Sequence, residues 1–187
     1  MSANTPDVDS MPPRNPGRGY RLMSSRGLAA LIACASVMIR TPAGAEVRVG
    51  EAFPPFERAG LLGARIPATS GKVVLVDFWA SWCAPCKASF PAYERLNSEF
   101  SSKGLVIVAV SVDRDATAYT AFVKRFTPSF LVVLDRDQKL VREAQVPTMP
   151  TSYIIDRQGR VRYTHPGFHG YETEKALRTE IAMLLSE

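Results

Sequence analysis

The sequence contains few residues that could bind a metal: its 187 residues include three cysteines and two histidines. Cys34 lies in an apolar stretch near the N-terminus, which leaves Cys83 and Cys86 as the cysteines of the main part of the chain. A closed zinc site needs four ligands, and only His165 and His169 could add nitrogen ligands to these thiols. The sequence therefore predicts no bound metal.

The sequence also lacks a concentration of charge. Its net charge is +5, yet residues 1–45 carry five arginines and two aspartates, and residues 46–187 carry 18 basic and 16 acidic residues. Without a long basic run, the chain is not expected to bind nucleic acid. Hydrophobic residues make up 46% and charged residues 22%, which excludes a disordered, collagen-like or polytopic membrane protein. The length fits about one domain plus an extension.

Residues 1–45 have the features of an export signal. Arginines precede an apolar stretch at 27–39, whose 13 residues are fewer than the about 20 that a spanning helix needs. Ala43-Gly44-Ala45 follows, a small-residue pattern typical of a signal-peptidase site. We predict a signal peptide cleaved after Ala45; retention as an N-terminal anchor, favoured by Arg40, and lipidation of Cys34 in Leu31-Ile32-Ala33-Cys34 are the alternatives. In each case the protein is exported, and a periplasmic location is expected.

After residue 45 the hydrophobic pattern predicts alternating strands and helices. Residues 46–71 are rich in proline and glycine and predict a lead-in with at most short strands. Residues 72–79 are a continuous β-branched and aromatic run, which indicates a strand buried on both faces of a sheet. A helical spacing at 83–100 and a second buried strand at 105–112 complete a βαβ unit. The remaining predicted elements are a helix at 115–126, a strand at 129–134, a hairpin of strands at 151–156 and 160–164, and a closing helix at 172–185.

Cys83 and Cys86 flank Ala84 and Pro85 where the first predicted strand leads into a helix. Because unpaired N–H groups and the helix dipole stabilise a thiolate at a helix N-terminus, Cys83 is predicted to be the attacking thiolate. Cys86, one turn into the helix, is predicted to resolve the mixed disulfide. A structural disulfide would add little stability across so short a ring, and a zinc half-site lacks further ligands. Redox chemistry is therefore the favoured interpretation.

Residues 76–87, Val-Asp-Phe-Trp-Ala-Ser-Trp-Cys-Ala-Pro-Cys-Lys, closely resemble the active-site segment of thioredoxins. Residues 149–151 resemble the cis-proline loop that faces the thioredoxin dithiol. Residues 49–52 and the predicted helix and strand at 115–134 resemble the extracytoplasmic TlpA/ResA-like branch. The resemblance implies that residues 46–187 form an α/β domain with a thioredoxin fold, in which helices flank a central mixed β-sheet and an extra helix and strand are inserted.

The resemblance also gives Asp77 a role, because it matches the buried aspartate of thioredoxin. A carboxylate in an apolar strand is desolvated, so its pKa should rise until it can exchange a proton with Cys86 during resolution. Cys83, Cys86 and Asp77 are thus the implied catalytic residues. The alternative for Asp77 is a cap on a turn. Ala109 stands where thioredoxin has a lysine near that aspartate, and Ala84 stands where some ResA-like reductases have an acidic residue.

A substrate-binding surface is implied around the two cysteines. Trp82 is expected to face the partner protein and Trp79 to pack inside, the alternative being that both tryptophans are core residues. Gly167 matches a glycine-containing loop opposite the cysteines, where a substrate backbone approaches closely. The implied substrate-binding residues are Trp82, Pro85, Met149, Pro150, Thr151 and Gly167, and the Met149–Pro150 bond is expected to be cis.

These features predict a thiol-disulfide oxidoreductase whose only redox group is the Cys83–Cys86 disulfide, with no other cofactor. The TlpA/ResA-like branch implies a reductase of exported protein disulfides, for example in cytochrome c maturation or copper-site assembly. A membrane thiol carrier would supply its electrons. A DsbA-like oxidase and a non-enzymatic copper chaperone, with the two thiols as soft ligands, are the alternatives.

Overall fold

The computed structural model describes residues 46–187. The predicted signal peptide, anchor and lipidation site fall in residues 1–45 and lie outside the described residues. None of the helices described is long and apolar enough to cross a membrane.

Residues 46–187 form a mixed β-sheet with helices packed against it. The strands are β1 (Leu62–Gly63), β2 (Val73–Trp79), β3 (Leu105–Ser111), β4 (Leu131–Leu134), β5 (Thr151–Ile155) and β6 (Val161–Pro166). The α-helices are α1 (Ala84–Phe100), α2 (Ala116–Phe126), α3 (Lys139–Glu143) and α4 (Tyr171–Ser186). The strand order is β1-β4-β3-β2-β5-β6; β2, β3 and β4 are parallel, and β1, β5 and β6 each pair antiparallel with their neighbour. The prediction of a mixed sheet with an inserted helix and strand, here α2 and β4, is confirmed.

β2 is a central strand that pairs with β3 on one side and β5 on the other, and all seven of its residues are buried. Its side chains alternate between the two faces of the sheet, as in any strand. Asp77 and Trp79 face α1 and contact its side chains. Phe78 faces the other side, where the ring of Phe53 from the lead-in packs 6.4 Å away between centroids. The strand therefore presents one carboxylate to a helix-covered, apolar layer.

α1 begins immediately after Cys83, which is its N-cap. Pro85 lies in the first turn, where the missing N–H of proline leaves no helical hydrogen bond unmade. Pro91 lies further along the helix and is accommodated within it. The predicted helix at 83–100 is thus confirmed, with its first residue acting as the cap. Its buried face consists of Cys86, Ser89, Phe90, Ala92, Tyr93, Leu96 and Phe100.

The inserted helix α2 contributes to an aromatic cluster that packs next to α1. Asp115 caps its N-terminus by accepting a hydrogen bond from the backbone N–H of Thr117. The Phe122 ring packs against Trp79 at 4.3 Å and against Phe90 at 4.9 Å between centroids. Trp79 is fully buried in this cluster, so it is a core residue as predicted.

Two short elements were not placed individually by the hydrophobic pattern, although the strand lies in the lead-in that was predicted to contain at most short strands. The strand Leu62–Gly63 and the helix Lys139–Glu143 have too few residues to show a hydrophobic period. The short helix is instead held by buried Asp135, whose carboxylate accepts from the backbone N–H groups of Lys139 and Val141. His165 lies in β6, which continues two residues beyond the strand predicted at 160–164.

Candidate active site

The two cysteines form a disulfide at the N-terminus of α1, with their Cα atoms 5.3 Å apart. The backbone N–H of Cys86 donates to Cys83 Sγ at 3.2 Å, so the helix end offers a hydrogen bond to the first sulfur only. Cys86 is fully buried, whereas Cys83 is 6% exposed. The exposure of Cys83, the predicted attacking thiolate, is therefore small in the disulfide form. Cys83 is the more accessible of the two sulfur-bearing residues.

A buried carboxylate holds the loop that leads to Cys83. Asp113 accepts hydrogen bonds from the backbone N–H and the hydroxyl of Ser81, and a further one from the hydroxyl of Ser111. The N–H of Cys83 in turn donates to the carbonyl of Ala80 at 3.1 Å. Sequence reasoning missed this contact. A signal was available, because Asp113 follows β3 and the ends of parallel strands meet at one edge of a sheet.

The structure brings the predicted cis-proline loop and the glycine loop together. The Met149–Pro150 bond is cis, as expected. The Pro150 carbonyl accepts from the N–H of Gly167 at 2.7 Å, and the Thr151 hydroxyl donates to the Thr148 carbonyl at 2.8 Å. Gly167 has φ +82, and a Cβ there would lie 3.2 Å from the His169 ring, so glycine is needed at this turn.

The predicted partner-facing residues differ in exposure. Trp82 directly precedes Cys83 and is 70% exposed. Pro85 is exposed in the first turn of α1, and Met149 is half-buried. An exposed indole beside a nearly buried sulfur provides an apolar surface for a docking protein. The expectation that Trp79 and Trp82 differ is thus met, because one is buried and the other is not.

Asp77 is fully buried and accepts two hydrogen bonds on a single oxygen. Tyr93 Oη of α1 and Ser152 Oγ of β5 each donate to Asp77 Oδ1 at 2.8 Å. Burial raises the pKa of Asp77 from 3.8 to about 7, and the hydrogen bonds from Tyr93 and then Ser152 oppose that rise. The predicted rise of this pKa is thus supported, and Asp77 lies within β2 rather than on a turn.

The two hydroxyls around Asp77 were not found from the sequence. Tyr93 lies on the apolar face of α1 and reads as an ordinary core residue. Ser152 follows Pro150 by two residues in a strand whose five residues are all buried. A polar residue inside a buried strand is the signal that could have identified Ser152.

No group of three or more metal-binding side chains is present in the part of the chain that the structure describes. His165 lies beside Glu180, with Nε2 2.6 Å from Oε2. The His165 ring is thus paired with a single carboxylate on α4. Both residues are distant in sequence from the two cysteines.

Comparisons with known proteins agree with this geometry. The family model described as Redoxin matches residues 48–181. The thiol-disulfide oxidoreductase ResA of Bacillus subtilis is 33% identical over 147 residues, which are 75% of this chain and 82% of that protein. A Chlorobium tepidum structure assigned as the thiol:disulfide interchange protein DsbE superposes with a TM-score of 0.69 and is 33% identical; the match covers 75% of this chain and 99% of that chain.

A third similar protein is the exposed lipoprotein thioredoxin of Streptococcus pneumoniae. Its crystal structure matches with a TM-score of 0.55 and 29% identity, over 62% of this chain and 87% of that chain. The disulfide at a helix N-terminus, the cis-proline loop and the inserted helix thus occur in a chain whose relatives carry out thiol-disulfide exchange. The chain belongs to the redoxin family and is a thiol-disulfide oxidoreductase of the ResA and DsbE type.

Proposed function

We propose that this protein reduces disulfides of exported proteins, with Cys83 as the attacking thiolate and Cys86 as the resolving thiol. The observation that carries the proposal is the asymmetry of the pair. Only Cys83 is partly exposed, and only its sulfur accepts a hydrogen bond from the N-terminus of α1. A thiolate forms more readily at such a position, whereas a thiol buried in the helix reacts only with a sulfur brought to it.

The hydrogen bonding at Cys83 supports the choice of a reductase within this proposal. A strong oxidant of the DsbA type depends on strong stabilisation of its reduced thiolate. Among the described residues, one backbone N–H donates to Cys83 Sγ, and no side chain does. A single hydrogen bond to Cys83 Sγ supports a dithiol that acts as a reductant rather than as the product of a strong oxidant.

The proposed reaction transfers two electrons from the dithiol to a substrate disulfide. The Cys83 thiolate attacks one substrate sulfur and the other leaves as a thiolate, which gives a mixed disulfide. Cys86 then loses its proton and attacks Cys83 Sγ, and the remaining substrate sulfur leaves. Asp77 accepts the Cys86 proton, for which a pKa of about 7 is suitable. A membrane dithiol carrier would reduce the resulting Cys83–Cys86 disulfide, so no other cofactor is needed.

Substrate docking is assigned to the surface around Cys83. Trp82 supplies exposed apolar area next to Cys83. The resemblance to thioredoxins supports the proposal that Pro85, Met149, Pro150, Thr151 and Gly167 border the dithiol. The backbone of the cis-proline loop would pair with an extended substrate segment next to its cysteine. The substrates implied are exported proteins with reducible cysteines, such as cytochrome c precursors or copper-site proteins.

The proposed location is outside the cytoplasm. The support is the basic and apolar sequence at 1–45, and the similarity to a pneumococcal protein named as an exposed lipoprotein. Cleavage after Ala45, retention as an anchor and lipidation of Cys34 remain three forms of the same proposal.

The experiment is a comparison of two trapping variants in the native host. Cys86→Ser should accumulate mixed disulfides between Cys83 and its substrates, because the attacking thiolate remains and the resolving thiol is gone. Cys83→Ser, the matched control, should trap far less. Equal trapping by both variants, or trapping by neither, would contradict the assigned roles.

The identity of the trapped proteins tests the direction of the reaction. Cytochrome or copper-site precursors would support the reductase, whereas a broad set of secreted proteins would indicate an oxidase. Stoichiometric binding of Cu(I) without reduction of insulin disulfides would indicate a copper chaperone instead.

A further inference from the structure

Three buried oxygen atoms form a compact group between β2, α1 and β5. Asp77 Oδ1 lies 2.8 Å from Tyr93 Oη and 2.8 Å from Ser152 Oγ, and the two hydroxyl oxygens are 2.9 Å apart. All three residues are essentially inaccessible to solvent. The second carboxylate oxygen, Asp77 Oδ2, has no hydrogen-bond partner among the described residues.

The groups that hydrogen-bond to this carboxylate are uncharged. α1 contributes the Tyr93 hydroxyl, β5 contributes the Ser152 hydroxyl, and β3 places Ala109 beside Asp77 in the sheet register. No cation among the described residues influences the pKa of Asp77, which is set by burial and the two hydroxyls. The ionised form of this carboxylate is therefore stabilised by two neutral hydrogen-bond donors.

We propose that Tyr93 and Ser152 are positioning residues, whose hydroxyls hold Oδ1 of Asp77 and leave Oδ2 as the oxygen that takes the proton from Cys86. This inference rests on the proposed function and deepens it. It does not depend on which protein is the substrate.

The geometry explains why one oxygen is selected. When Asp77 is ionised, both hydroxyl protons point to Oδ1, which then has little remaining capacity for another proton. Oδ2 keeps its lone pairs free, so protonation there breaks neither hydrogen bond. During resolution the proton moves from Cys86 Sγ to Oδ2, and the Cys86 thiolate uses its electron pair to attack Cys83 Sγ. The proton later passes to the released substrate thiolate or to water.

The hydroxyls should also set the pH range in which Asp77 accepts a proton. Burial alone disfavours the ionised form, and each hydrogen bond to Oδ1 favours it. Removal of either hydroxyl should therefore raise the Asp77 pKa, because burial still raises it and one of the two hydrogen bonds that lower it is gone. The ionised fraction at neutral pH, which is the form that accepts a proton, should then fall.

The chain offers a matched control in Tyr153, the neighbour of Ser152. Tyr153 is as fully buried as Tyr93, but its hydroxyl has no hydrogen-bond partner among the described residues. It lies on the opposite face of the sheet, where its ring packs against Phe78. Tyr153→Phe thus removes a buried tyrosine hydroxyl without touching the carboxylate.

The experiment measures the Asp77 pKa by infrared spectroscopy of the oxidised full-length protein labelled with ¹³C-aspartate, in which neither cysteine titrates. Asp77→Asn identifies the band. Tyr93→Phe and Ser152→Ala should each raise the pKa by about one unit, which is a tenfold drop in the ratio of ionised to protonated Asp77. Tyr153→Phe should leave it unchanged. If Tyr93→Phe does not fold, Ser152→Ala, which removes one oxygen atom, decides the question.

A second measurement follows the resolution step with insulin as the disulfide substrate, in single-turnover reactions across pH 6–9. The pH midpoint of resolution should move upward with the Asp77 pKa in Tyr93→Phe and Ser152→Ala, and Tyr153→Phe should follow the parent protein. An unchanged Asp77 pKa in the folded variants, or an equal shift in Tyr153→Phe, would overturn the proposal. Because the infrared measurement needs no turnover, it remains informative even if the trapping experiment disproves the proposed function.

Discussion

Replacement of Asp77 by asparagine should make the protein more stable at alkaline pH while it impairs catalysis. The pKa of Asp77 is 3.8 in a solvated chain and about 7 in the folded protein. The folded state therefore binds this proton more tightly than the unfolded state does. The contribution of Asp77 to the free energy of unfolding is fully present below pH 4 and is lost as the pH rises through 7.

The size of the effect follows from the shift. About three pKa units, at about 1.4 kcal/mol per unit, correspond to a loss of about 4 kcal/mol between acidic and alkaline pH. Asparagine keeps the shape and can still accept from Tyr93 and Ser152, but its amide N–H groups replace the unpartnered Oδ2. Those unpaired donors cost about 1–3 kcal/mol at every pH. Asp77→Asn should thus be the less stable protein at pH 4.5 and the more stable one above pH 8.

The assay is urea unfolding of the oxidised full-length protein and its Asp77→Asn variant at pH 4.5, 6 and 8.5. All other titrating groups are shared, so the difference in free energy between the two proteins isolates the carboxylate. A difference that stays constant across this range would refute the reasoning, because it would mean that Asp77 titrates alike in the folded and unfolded states.

The same Asp77→Asn variant should resolve mixed disulfides more slowly between pH 6 and 9, since an amide cannot exchange a proton in that range; unchanged turnover would show that another group does so. Trp82→Ala should lower kcat/KM for protein disulfides by about tenfold and leave the melting temperature and the reaction with a small aromatic disulfide nearly unchanged, because the side chain is exposed. Asp113→Ala should reduce the free energy of unfolding by at least about 2 kcal/mol in urea titrations, because it leaves the buried donors of the loop before the dithiol without an acceptor. Mass spectrometry of the protein from its host should find Glu46 as the N-terminus; a lipid on Cys34 would establish a lipoprotein, and an intact chain in the cytoplasm would contradict export.

The elements with a strong hydrophobic period could be predicted from the sequence. β2 and β3 are continuous apolar runs, and the start of α1 follows from the position of Cys83 and Pro85. The position of the two-residue β1 within the lead-in could not be predicted, because its pairing with β4 is set by tertiary contact and not by its own residues.

The candidate site divides in the same way. The dithiol and Asp77 can be recognised because they are polar or reactive residues in a fixed sequence context. The hydroxyls of Tyr93 and Ser152 could not be assigned, because they are 16 and 75 residues away from Asp77 and meet it only in the folded sheet. The small exposure of Cys83 also depends on the surrounding loops, which a local sequence pattern does not describe.

The alternation of β5 has a consequence for any attempt to re-engineer the substrate loop. Successive residues of this strand point to opposite faces, so Ser152 reaches the carboxylate only because it is the second residue after Pro150. A residue deleted between Pro150 and Ser152 would place the ring of Tyr153 at the buried carboxylate, and an inserted residue would place Thr151 or the new residue there. Loop grafts that end before Met149 should preserve this spacing. The number of residues between Pro150 of the substrate loop and Ser152 at the Asp77 carboxylate is therefore as constrained as their identity.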